Sequence, residues 1–156
     1  MAHYISDKIK DKNEKYYFIR ELESQDIVRL PSKYLMHMKK SKLSPNTIQR
    51  SAGSISYYLN YLNEKKLSMD AVWEMNYEKQ QEHFIDFLMW LKAGMHSREK
   101  NKKTPYNETC NAYLKDVFRY YTFIDRIGES RKPLKVLGDA QFIVRNAVGV
   151  RRVLNR

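Results

Sequence analysis

A single cysteine, Cys110, stands in 156 residues, so no disulfide framework can form and a reducing compartment is implied. Five glycines and four prolines leave few places for turns, which favours long helices joined by short connections. No apolar run approaches the ~20 residues needed to cross a bilayer, and no basic-then-apolar leader opens the chain. These features together predict a cytoplasmic protein. The phosphate-cradling patterns G-x-x-x-x-G-K and G-x-G-x-x-G are absent, as is the nucleophile elbow G-x-S-x-G. His3, His37, His83 and His96 lie at no metal-ligand spacing from one another or from Cys110, so neither metal nor cofactor is expected. Cys110 falls on an inward helical stripe and reads as a small core residue. No set of catalytic residues assembles.

What the chain has in excess is positive charge: 29 Lys and Arg against 18 Asp and Glu, a formal net charge of +11. The excess is segregated. Residues 27–67 hold eight basic and one acidic residue, and residues 129–156 hold seven and two. Residues 96–128 hold seven and four, whereas residues 68–95 reverse the balance with two and five. Solubility alone does not require such separation; a two-pronged grip on a polyanion does.

The organising stretch is Ser44 to Lys66. Ser44-Pro45 is a helix start, a capping hydroxyl followed by a proline suited to the first turn. Ile48, Ala52, Ile55, Leu59 and Leu62 then recur at helical steps. The opening turns present Asn46, Thr47, Gln49 and Arg50, then the small run Ser51 to Ser54. An ordinary solvated face explains this pattern equally well. Upstream, residues 1–15 read as a loosely held terminus, and Tyr16-Tyr17-Phe18-Ile19 with Ile27-Val28-Arg29-Leu30 read as a small hairpin. Pro31-Ser32 is expected to open a helix over 32–42.

Downstream, Trp73 anchors a short helical turn, and Asn76 caps a helix over 77–93 that is apolar nearly all round. A basic connection, 96–108, leads to a helix over 105–127 with the inward stripe Cys110, Leu114, Val117, Tyr121 and Ile124. A second stripe, Asn107, Asn111, Lys115, Arg119, Thr122 and Arg126, holds three cations and no carboxylate. Residues 129–156 have weak periodicity.

In this order the parts S-P-N-T, Y-L-x-Y-L, the Trp-bearing turn, F-x-x-F-L-x-W-L, the basic loop and N-x-T-x-N-x-Y-L-x-x-V-F-x-Y-Y resemble a known domain. Over residues 16–128 the chain is similar to the amino-terminal core-binding domain of tyrosine recombinases, the phage-integrase-like family, in its transposon-type branch. The resemblance implies a mainly α fold, a four-helix SAM-like bundle with a small hairpin before the first helix. It further implies a DNA-binding domain that grips duplex DNA during integration or recombination, assembling as a homo-oligomer on DNA through the full-length protein. The family's chemistry lies in a separate domain with an H-x-x-R pair and a nucleophilic tyrosine. Here His37 is followed by Met38-Lys39-Lys40 and His96 by Ser97-Arg98-Glu99, so these residues are expected to be inert, with 129–156 a linker toward a catalytic domain.

The expected DNA contacts are Lys42, Arg50, Lys102, Lys103, Lys115 and Arg119 on phosphates, and Asn46, Thr47, Asn107 and Asn111 at positioning or base-edge sites. Ser44, Ser54 and Thr104 complete the set. Thr47 and Arg50 are expected on the same side as Asn107, Asn111 and Lys115. Arg50 is expected to be a pure surface contact whose loss leaves stability unchanged. Two other readings stand beside this one: a helical RNA-binding or architectural module, and a basic adaptor for an acidic protein.

Overall fold

A computed structural model describes residues 3–97, 104–128 and 134–138. The described chain is mainly helical, with a two-stranded antiparallel hairpin before the first helix. The strands are β1 (Tyr4–Asp11) and β2 (Glu14–Glu21); the helices are α1 (Arg29–Lys40), α2 (Pro45–Lys65), α3 (Met69–Glu74), α4 (Tyr77–Lys92) and α5 (Asn107–Arg126). A 3₁₀ turn, Lys135–Gly138, follows.

The hairpin differs from the expected one. Tyr16–Ile19 is strand, but its partner lies upstream, in residues expected to be loose, with Tyr17 opposite Lys8 and Ile19 opposite Ser6. The reversal is made by Lys12 and Asn13, at φ of 49° and 68°. Consecutive left-handed residues match a two-residue turn to the right-handed twist of the strands. Ile27 makes only an isolated bridge to Arg20. Asn60 of α2 then holds the head of β1: Tyr4 N–H donates to its Oδ1 (2.7 Å), and its Nδ2 donates to the Tyr4 carbonyl (3.0 Å).

α1 begins at Arg29, three residues before the expected start, so Pro31 lies in its first turn, where no N–H is needed. Ser32 instead clamps β2 to α1, its Oγ accepting from Ile19 N–H at 3.0 Å. Lys42 stops α1 in the left-handed region (φ 61°), with Leu43 N–H returning to the Met38 carbonyl at 3.2 Å. The same closure ends α2 at Lys66 and α4 at Gly94. Helix starts are as local: Ser44 Oγ accepts from Thr47 N–H (3.2 Å), Ser68 from Ala71 (3.1 Å), and Asn76 Oδ1 from Lys79 (2.9 Å).

The core lies where α2, α4 and α5 meet. Ile55 and Tyr58 of α2, Phe84, Phe87, Leu88 and Leu91 of α4, and Cys110, Leu114, Val117 and Tyr121 of α5 are all buried. Leu59 is half-buried beside them. α4, expected to be apolar nearly all round, turns Phe84, Phe87, Leu88 and Leu91 inward but leaves Met89 52% exposed and buries the polar Gln80 and His83. Gln80 joins three elements, donating to the Val72 carbonyl (2.9 Å) and accepting from Val136 N–H (3.2 Å). Leu134 and Val136, at the start of the expected linker, are buried against the domain. His83 Nε2 lies 2.9 Å from the Tyr58 hydroxyl, which also meets the Tyr121 hydroxyl.

Candidate nucleic-acid interface

Because α2 and α5 pack together, Arg50 of the basic segment 27–67 is brought beside Arg119 of the basic segment 96–128. Their junction is Asp116, a fully buried carboxylate on α5. Arg50 of α2 grips it in fork geometry, Nε to Oδ2 and Nη2 to Oδ1, each at 3.0 Å. Arg119 reaches Oδ1 from one turn on, at 3.5 Å. The Ser54 hydroxyl lies 2.8 Å from Oδ2 and 2.9 Å from the Arg50 carbonyl, and its one proton serves one of them at a time.

This arrangement sorts the expected site residues. Arg50 and Arg119 are drawn to one patch by the carboxylate between them, with side chains 45% and 61% exposed. Lys42, Ser44 and Asn46 are exposed at the opening of α2, and Thr47 is half-buried. Ser44 and Thr47 hydroxyls bond to each other at 2.8 Å, so both close the helix end while one side stays open to solvent. Lys115 is half-buried next to Asp116, and Thr104 is exposed. Lys102 and Lys103 lie outside the described residues.

Four expectations need correction. Ser54 is fully buried, its hydroxyl turned to Asp116, and cannot meet a groove edge. Asn111 is only 5% exposed, and neither its Oδ1 nor its Nδ2 finds a hydrogen-bond partner among the described residues; it is packed in rather than presented. Asn107 is likewise half-buried with its Oδ1 enclosed and unpaired. Arg50 is not a pure surface cation, because two of its N–H groups neutralise a buried charge.

The residue that sequence reasoning missed is Asp116. Its one signal was position: it sits beside Val117 and one turn from Tyr113 and Tyr120, away from the cation stripe and toward the packed side of the helix. Patch chemistry follows from the arrangement. Arg50, Arg119 and Asp116 together carry one net positive charge, to which Lys42 and Lys115 add, beside amide and hydroxyl groups of the first α2 turn. Such a surface can receive phosphate oxygens through guanidinium and ammonium donors.

No helix among the described residues is long and apolar enough to cross a membrane. No protein family, curated protein or solved structure matches the chain.

Proposed function

We propose that the chain is the DNA-binding, core-binding-type domain of a site-specific tyrosine recombinase or integrase, gripping duplex DNA without performing strand chemistry itself. The observation that supports this most is the convergence of the two basic helices: Arg50 of α2 and Arg119 of α5 flank one carboxylate and stay open to solvent. Phosphate neutralisation would fall to Arg50, Arg119, Lys42 and Lys115, with Ser44, Asn46, Thr47 and Thr104 positioning the backbone. Lys102 and Lys103 belong to the same basic block. A mainly helical chain with a hairpin before its first helix supports this reading at the level of fold class.

The test uses a labelled duplex, a single-stranded RNA of equal length and an acidic peptide, compared by fluorescence anisotropy. The proposal expects the duplex to bind most tightly. Incubation with a nicked suicide duplex should yield no covalent protein–DNA adduct. A preference for RNA would favour the architectural or RNA-binding reading, and a preference for the peptide would favour an adaptor.

A further inference from the structure

Between the carboxy-terminal halves of α1 and α5 runs a groove of about 700 Å³. Its floor is apolar, built from Met38, Leu43, Phe118 and Ile127, and Leu43 and Ile127 stay 45% and 38% exposed. Lys115, Arg119 and Arg126 stand along the α5 wall, and among the described residues no carboxylate lines the groove. Phosphates would use the cations but not the floor, since water-exposed apolar surface is relieved only by an apolar partner. The chemistry that fits both is an amphipathic helix with acidic groups and an apolar side chain on one face.

The chain carries such a face. On α4, Glu78, Glu82, Asp86 and Met89 are all exposed on the side opposite the buried Phe84 and Leu88. None of the three carboxylates forms an ion pair within the described residues. At a rise of 1.5 Å per residue, successive carboxylates are about 6 Å apart along the axis, the same step that separates Lys115 from Arg119. Met89 stands one turn beyond Asp86, long and flexible enough to reach an irregular apolar floor.

We propose that the acidic face of α4 in one copy docks into the α1–α5 groove of a second copy, with Met89 on the floor and the carboxylates against the wall of cations. The two surfaces differ, so the contact is head-to-tail and builds a ring or an open chain rather than a two-fold dimer. The docking does not rest on the DNA reading, although both involve Lys115 and Arg119.

Sedimentation velocity without DNA, over a range of protein and salt concentrations, tests it. The wild type should self-associate at low salt and dissociate as salt rises. The triple reversal Glu78→Lys/Glu82→Lys/Asp86→Lys should weaken association roughly tenfold or more, as should Lys115→Glu/Arg126→Glu. Mixing the two variants should restore it, because each then offers the surface the other lacks. All five positions lie at the surface or groove wall, and circular dichroism checks that each variant folds. A chain that stays monomeric throughout, or reversals that associate like the wild type, overturns the docking. Association that persists in a chain without duplex affinity upholds the docking and counts against the DNA reading alone.

Discussion

Arg50 and Asp116 lie 66 positions apart in sequence, yet two parallel hydrogen bonds of 3.0 Å join them across the α2–α5 interface. The carboxylate is fully buried and the guanidinium is half open to solvent. One residue therefore serves two ends: it neutralises the interior charge and shows its remaining donors to the outside. Removing Arg50 strands a buried negative charge. Arg50→Ala should cost roughly 1–3 kcal/mol, less than for a fully enclosed pair because water screens the arginine and Arg119 partly compensates. Urea denaturation measures the loss; an unchanged midpoint would show that the pair contributes nothing to the fold.

The same relationship makes a prediction of opposite sign for binding. Asp116→Asn removes the negative charge that Arg50 and Arg119 share while keeping the shape of the side chain. Stability should fall, but any variant molecules that remain folded should bind duplex DNA at least as tightly as the wild type. Anisotropy titration below the melting transition reads this directly, and a large loss of affinity would mean that Asp116 holds the binding geometry itself.

How much of this was legible in the sequence depends on how local each feature is. The start of α2 falls within a residue of expectation because Ser44, Pro45 and Thr47 build it alone. The stripe Ile48, Ala52, Ile55 and Leu62 is buried as its spacing foretold, since helical period sets it. β1 was missed because its few apolar residues gain their place from a two-residue turn at Lys12-Asn13 and from Asn60, 56 positions away. The Arg50–Asp116 pair was missed for the same cause: a charge says nothing of its partner until the helices cross. Asn111 misled because an amide on a cation stripe looks presented when neighbouring elements in fact enclose it.

His83 gives a pH dependence with a definite sign. Burial among Tyr58, Tyr61 and Phe84 lowers its pKa from the ordinary 6.5 to about 4. The unfolded chain therefore takes up a proton more readily than the folded one. Stability from the neutral ring is fully present above about pH 6.5 and is lost progressively as pH falls toward 4, by up to about 3 kcal/mol. His83→Gln should flatten that part of the profile. Urea midpoints from pH 4 to 8 for both proteins decide it; equal slopes would assign the acid sensitivity to other groups.

Gly53 and Phe84 separate backbone cost from packing. Gly53 sits mid-helix in α2, and a Cβ built there meets nothing within 4 Å. Gly53→Ala should stabilise the domain by about 0.5–1 kcal/mol by reducing the entropy of the unfolded chain. Phe84 is fully buried against Tyr58, Phe118 and Tyr121, so Phe84→Ala should cost about 3–5 kcal/mol. Thermal melts of both variants test the pair of signs together.

The central claim, that this surface grips duplex DNA through its cations, is tested most directly by the salt dependence of binding. With about five phosphates neutralised, log K should fall against log salt with a slope of roughly −4 to −5. Lys42→Ala and Lys115→Ala should each reduce that slope by about one without changing the fold. A flat salt dependence, or slopes identical to wild type in both variants, would contradict the account.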